Sequence, residues 1–333
     1  MKKVLILSIS LLCLFMLTGC GKYGKSEIMK DLNKKIKNTK AYYVEGEMEI
    51  INNEDTYKYN VKVSYKAKDY YKVSLKNQSN NHEQIILKND DGVYVLTPSL
   101  NKSFKFESEW PYNNSQSYLL HSIANDLKED NSYTFEQKDN NYIFITKVNY
   151  PNNPNLVKEK ITLDKNLNLK EVSVLTKDNI PYIIFKVTSL DKKAIFADNY
   201  FLLETISKNL NEKNTTSEDS KTTLKIDEAL FPLYLPSNTS LKNRETIKTD
   251  IGERVIMTFS GDNPFILVQE TVAREKEFTT IPTSGTPYLL VDTVGALTNG
   301  SYTWISNGIE YYIVSDVMEQ NELLEVAKSI NVV

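Results

Sequence analysis

The stretch TYKYNVKVSYK, residues 56–66, alternates without a fault. Tyr57, Tyr59, Val61, Val63 and Tyr65 fall on one face; Thr56, Lys58, Asn60, Lys62, Ser64 and Lys66 fall on the other. Successive side chains of a strand point to opposite faces, so this is a ribbon with one apolar and one wet side. The apolar side covers either an ordinary core or something brought in from outside.

Segments of the same kind run on both sides of it. YYVEGEMEI (42–50), YYKVSLK (70–76), EQIILK (83–88), VYVLT (93–97) and SFKF (103–106) read as strands. After a break come SYTFEQK (132–138), NYIFITKV (141–148), KEKITL (158–163), LKEVSVLT (169–176) and YIIFKVTSL (182–190). Asn52-Asn53, Asn80-Asn81, Asp90-Asp91-Gly92, Asp139-Asn140-Asn141, Asp164-Lys165-Asn166 and Asp178-Asn179 supply the turns. Short, regular spacing of this kind marks an antiparallel meander.

Two helices accompany it. SEIMKDLNKKIKNTK (26–40) offers Ser26 as N-cap and a narrow stripe of Ile28, Leu32 and Ile36. SQSYLLHSIANDLKED (115–130) places Leu119, Leu120, Ile123, Ala124 and Leu127 on one face. Two helices are thin cover for so large a sheet, and a cleft between helices and strands is expected. Residues 207–223, SKNLNEKNTTSEDSKTT, read as a polar linker. Beyond it, residues 224–333 open with LFPLYLP and continue through strands RVIMTFS, PFILVQET, PYLLVDTV, SYTWIS and IEYYIVS to a helix, EQNELLEVAKSI. That makes a second, small α+β domain.

Composition narrows the function classes. The 333 residues are 41% hydrophobic and 25% charged, with 40 basic against 43 acidic residues and a net charge of −3. Nucleic acid normally demands a basic face, and this balance offers none. The two histidines, His82 and His121, have no second His or Cys at ligand spacing, so no metal site is expected. His82 falls in a turn and His121 in a helix, both read as solvated. No Gly-x-Ser-x-Gly elbow, Ser-x-x-Lys box or phosphate-cradling Gly-rich loop occurs. Asp90-Asp91-Gly92 and Gly261-Asp262-Asn263-Pro264 read as hairpin turns rather than calcium loops. No catalytic residue and no cofactor is expected. The 21 tyrosines, many of them in strands, suit either core packing or a groove for acyl chains, sugar rings or a peptide.

The N-terminus carries the sharpest signal. Lys2 and Lys3 precede an apolar run, Val4 to Leu17, and then Thr18-Gly19-Cys20. A basic start, a short apolar core and small residues before a break describe a secretory signal, residues 1–19. A permanent span would need about 20 apolar residues. Leu-Thr-Gly-Cys resembles the bacterial lipobox, which implies diacylation of Cys20, a tether over residues 20–25 and a place on the outer face of the cytoplasmic membrane. The other cysteine, Cys13, lies within the signal, so no disulfide is expected.

The order of elements resembles the LolA-like lipoproteins: the outer-membrane lipoprotein carrier, the RseB/MucB regulators and the sporulation and germination lipoproteins of Gram-positive spore formers. KAYYVEGEMEI, DYYKVSLK, DDGVYVLTPSLNKSFKF and ITLDKNLNLKEVSVL carry the likeness in the first domain. TWISNGIEYYIVS and LLEVAKSI are similar to a module that often follows it. The resemblance implies an unclosed antiparallel β half-barrel capped by helices, spanning residues 26–206. Its cavity would be lined by Tyr57, Tyr59, Val61, Val63, Tyr65, Tyr71, Val73 and Leu75, with Leu119, Leu120, Ile123 and Leu127 opposite. It also implies an acyl-chain ligand or a protein partner at the envelope, such as a cortex amidase, and a role in sporulation or germination. An RseB-like envelope sensor or a lipoprotein-handling chaperone is the alternative.

Overall fold

The computed structural model of the chain describes residues 24–52, 55–67, 69–214, 225–226, 228–290 and 293–330. The expected signal, Cys20 and residues 215–223 of the expected linker lie outside them. Residues 1–38 and 39–333 are separate compact units. In the first, α1 (Lys25–Asn38) buries Ile28, Met29 and Leu32. It starts two residues earlier than an N-cap at Ser26 would set it. The Gly24 N–H donates to Glu27 Oε2 at 3.0 Å, so the third helical residue closes the first turn from the side Ser26 was expected to serve.

The second unit is built on two sheets. The meander appears as β1 (Ala41–Asn52), β2 (Asp55–Lys66), β3 (Tyr70–Asn77), β4 (Glu83–Asn89), β5 (Gly92–Thr97) and β6 (Lys102–Phe106). After the break, α2 (Leu120–Glu129) leads into β7 (Thr134–Lys138), β8 (Asn141–Lys147), β9 (Leu156–Asp164), β10 (Leu169–Thr176) and β11 (Pro181–Asp191). Residues 115–119, expected at the start of α2, precede it as non-helical chain. Helix α3 (Leu203–Asn214) follows β11. The remainder forms β12 (Thr239–Lys248), β13 (Glu253–Gly261), β14 (Phe265–Thr271), β15 (Thr279–Thr283), β16 (Thr286–Leu289), β17 (Val294–Leu297), β18 (Ser301–Ser306), β19 (Ile309–Val314) and α4 (Gln320–Lys328).

The first sheet has 12 strands in the order β15-β6-β5-β4-β3-β2-β1-β11-β10-β9-β8-β7. Its end strands, β15 and β7, do not meet, so this is the expected unclosed half-barrel. All of its pairs are antiparallel except β15 on β6, which is parallel. Asp90-Asp91 form a two-residue hairpin turn in which Asn89 pairs Gly92, as expected. One apolar row crosses seven strands: Val44, Val63, Val73, Ile86, Val95, Phe104 and Ile281 face each other in register. Fixed register keeps this row on one face from end to end.

Three readings are corrected. Residues 207–214 are not linker but the body of α3, where Ile206 is buried and Leu203 and Leu210 are partly buried against Ile85, Leu87, Tyr94, Leu96 and Phe201. Their i, i+3, i+7 spacing supplies the apolar stripe that the many polar residues hide. The half-barrel therefore has cover on its other face too, and both faces of β4 are buried. PYLLVDTV is not one strand but parts of β16 and β17. His121 is not solvated: its ring centroid lies 4.2 Å from that of Tyr65 and 5.9 Å from that of Tyr42.

The second sheet orders β12-β13-β14-β19-β18-β17-β16. Val255, Met257, Leu267, Tyr311 and Ile313 pack with Leu323, Leu324 and Ala327 of α4 to form its core.

Candidate functional site

The expected cavity residues lie together. Tyr59, Val61, Val63, Tyr65, Tyr71, Val73 and Leu75 are each at most 6% exposed, and β2 and β3 set them in register as Val61–Leu75, Val63–Val73 and Tyr65–Tyr71. Leu119, Ile123 and Leu127 are buried with them in the same unit, while Leu120 is half-buried. Tyr57 departs from the group and packs against the core of the second sheet. Rings fill the rest of the face: Tyr42 stacks on Tyr65 at 5.0 Å, Tyr65 meets Tyr71 at 5.0 Å and Tyr71 meets Trp110 edge-on at 5.9 Å. Offset and edge contacts of this kind contribute about 0.5–1.5 kcal/mol each beyond area burial. Around Tyr59 to Tyr65, then, the face is packed with the protein's own side chains.

Further along the same face a cavity opens. Its volume is about 330 Å³, and it is lined by the β5-β6-β15 end of the half-barrel and by β17, β18 and β19. Val95, Phe104 and Ile281, the last three members of the cross-sheet row, form one wall; Val294, Ala296 and Trp304 form the other. None of the expected cavity residues lines it. A smaller cavity of about 70 Å³ lies beside Met48, Ile50, Trp110, Tyr118 and Tyr150, again without them.

Gln84 pins the two sheets together at the larger cavity. Its Nε2 donates to Val294 O at 3.0 Å, while its Oε1 accepts from Val294 N at 2.6 Å and from Thr293 Oγ1 at 3.1 Å. The amide thus stands in for a strand partner. Nearby, Ser103 Oγ and Thr280 Oγ1 share a hydrogen bond of 2.8 Å where β15 joins β6. Thr97 also lines the cavity; it is 1% exposed and its Oγ1 has no hydrogen-bond partner. Glu310 lines it too, its carboxyl pushed up by burial while Lys102 pulls it down. Sequence reasoning missed this site because TTIPT contains a proline and reads as loop. The available signal was the Ile85-Ile86-Leu87 run, since a strand apolar on both faces must have cover on both.

A second polar group sits under α2. Glu159 is fully buried on β9, opposite Thr146 of β8, and neither of its carboxyl oxygens has a partner. Burial, and then the Asp126 carboxyl, push its proton affinity well above the usual carboxylate range. Asp126 is itself pushed up to about 6 by burial, against a hydrogen bond from Ser115. At the end of α2, burial pushes Asp130 up, but hydrogen bonds from Ser132, Lys147 N and Thr146 hold it down at about 2. No group of three or more His, Cys, Asp or Glu among the described residues is placed to hold a metal ion. Among the described residues no helix is long and apolar enough to cross a membrane.

Comparison with known proteins places the chain. Among solved structures it is similar to MucB in the Pseudomonas aeruginosa MucA/MucB complex, at 11% identity over 91% of this chain and 98% of that one, with a TM-score of 0.33. It is also similar to a chain of the Clostridioides difficile CwlD amidase complex with the GerS lipoprotein, at 17% identity over 53% of this chain and 98% of that one, TM-score 0.31. Sporulation protein YdcC of Bacillus subtilis (strain 168) is 33% identical over 339 aligned residues, covering 98% of this chain and 96% of the relative. The profile of the family described as sporulation protein YdcC-like matches residues 1–201. The expected kinship with proteins of spore formers is borne out: the chain belongs to the YdcC-like sporulation protein family.

Proposed function

We propose that the chain is a non-enzymatic lipoprotein, anchored through Cys20 to the outer face of the cytoplasmic membrane, that serves sporulation or spore germination by holding a protein partner. The observation that carries this reading is the relation to a sporulation protein along 98% of the chain. Two features of the fold support partner binding over an acyl-chain cavity at Tyr57–Leu75. The face that would take the acyl chain is packed, as the burial of Tyr59 to Leu75 records. In contrast, β12 lies at the edge of the second sheet, and every residue of it after Thr239 is exposed, Leu241 and Ile247 included. An exposed edge carrying apolar side chains is the kind of surface that accepts an added strand. In this reading the 12-stranded sheet is scaffold, and the second sheet presents the docking edge at β12.

A cortex amidase of the same host is the partner to test first. Purified together, the two should co-elute as one complex, and Ile247→Lys with Leu241→Lys should release the amidase while leaving the chain folded. Separate elution at micromolar concentration of both proteins would overturn the amidase as partner. Co-elution that survives the double substitution would overturn β12 as the docking edge.

A further inference from the structure

The cavity between β5-β6-β15 and β17-β18-β19 holds a carboxyl group whose charge the protein does not balance. Alternation along β19 puts Glu310 and Tyr312 on one face of the second sheet, and pairing puts Ile305 and Thr303 of β18 beside them. All four line the cavity, with Phe104, Phe106 and Ile281 of the first sheet across from them. Its volume of about 330 Å³ is that of a small-molecule site. Register sets Arg254, Glu270 and Glu310 in a row across β13, β14 and β19. Arg254 gives its guanidinium to Glu270, with Nε at 2.8 Å and Nη2 at 2.7 Å from Oε2. Lys102 of β6 lies 3.7 Å from Glu275. Each of these cations thus has an acid of its own, and Glu310 is left opposite Glu270. Among the described residues no hydrogen bond or ion pair reaches its carboxyl. Like charges directly opposite each other across strands are destabilising, so the row lacks one positive charge. Burial pushes the proton affinity of Glu310 up, Lys102 pulls it down, Glu270 pushes it up and Arg254 pulls it down, in that order of size.

We propose that this cavity binds an organic monocation, an ammonium group on a small apolar body, with the ammonium at Glu310 and the body against Phe104, Phe106 and Ile281. An ammonium brings three donors and no acceptor; the Glu310 carboxyl and the hydroxyls of Thr303 and Tyr312 are acceptors on one face. Aromatic rings in the lining add attraction for a cation. The apolar walls favour an organic ion over a bare metal, which would need several oxygen ligands. β12 has no part in the lining, so the site stands whether or not the amidase docks there.

Ala296 lines the cavity, and its methyl group reports on the site. The full chain in phosphatidylcholine nanodiscs, isotopically labelled at its alanine methyls, is titrated at neutral pH with benzylammonium and with benzyl alcohol. The Ala296 signal is assigned by its loss in Ala296→Gly. A saturable shift is expected with benzylammonium, which should bind more tightly than benzyl alcohol. Glu310→Gln should weaken benzylammonium by about ten- to a hundredfold, the scale of one hydrogen bond to a charged group, and leave benzyl alcohol unchanged. Thr303→Phe, which fills the cavity, should abolish both; where it fails to fold by circular dichroism, Glu310→Gln decides alone. No saturable shift, equal affinity for the two probes, or benzylammonium binding Glu310→Gln like the parent chain would overturn the site. Displacement of benzylammonium by potassium but not by sodium at equal ionic strength would overturn the organic ion in favour of an inorganic one.

Discussion

Glu159 shows how a single side chain sets a pH dependence. The folded protein holds its proton more tightly than the unfolded chain does, because burial and the Asp126 carboxyl oppose ionisation. Between the ordinary carboxylate value and the raised one, the folded state therefore carries more protons, and stability falls as pH rises. Asp126 acts in the same direction from 3.8 to about 6. Asp130 acts in the opposite one, its stabilising contribution being lost as pH falls from 3.8 towards about 2. Replacing Glu159 by Gln removes a group that ionises only on unfolding. Its melting temperature should exceed that of the parent by roughly 4 °C at pH 8, and the difference should shrink toward zero at pH 5. An equal shift at both pH values would show that Glu159 does not titrate differently in the two states. Nothing in its neighbours KEKITL marks Glu159 as buried: the residues shown beside it, Thr146 of β8 and Asp126 of α2, come from distant sequence.

At the scale of elements, two devices hold the half-barrel to its shape. The register of β1 on β11 shifts between Glu45 and Gly46, a bulge. A Cβ at Gly46 would lie 2.5 Å from Lys186 O and 2.5 Å from the Phe185 ring, so only glycine fits where these strands cross. Gly46→Val should cost about 2–3 kcal/mol by overpacking, read as a lower midpoint in urea. The other device is the Gln84 clamp. Gln84→Ala leaves the buried backbone of Val294 unpaired on both its N–H and its C=O, at a cost of about 2–4 kcal/mol. It should also speed amide exchange at Val294 and Ala296. Elements with an alternating or 3.6-residue pattern were legible from the residues: β1 to β6, β7 to β11, α1, α2 and α4. Helix α3 escaped because its polar residues mask the stripe, and two strands that escaped share another cause. β12 is exposed on both faces, so it shows no apolar alternation, and β15 is short and carries Pro282. Both owe their existence to hydrogen bonds with a neighbouring strand, which a local pattern does not record.

The whole molecule is a mostly β protein whose first sheet recruits a strand, β15, from beyond the second sheet's third strand. That crossing is why the cavity of about 330 Å³ was invisible in the sequence although the apolar face leading to it was not. Val61 and Val63 mark the face; its end at Phe104 and Ile281 depends on a parallel pairing between residues about 180 positions apart. The proposed tether, by contrast, rests on residues 2–20 alone: the charge, the apolar run and the Cys. Anchoring and partner binding together make a prediction that neither makes alone: a protein released from the membrane is folded and binds, yet works in the wrong place. The most direct measurement is the yield of heat-resistant, colony-forming spores from the chain's own host with Cys20→Ala as its sole copy of the gene. Tethered binding predicts a fall of at least tenfold, with the variant protein absent from the membrane fraction. Parental spore yield from a variant that no longer sediments with membranes would contradict it.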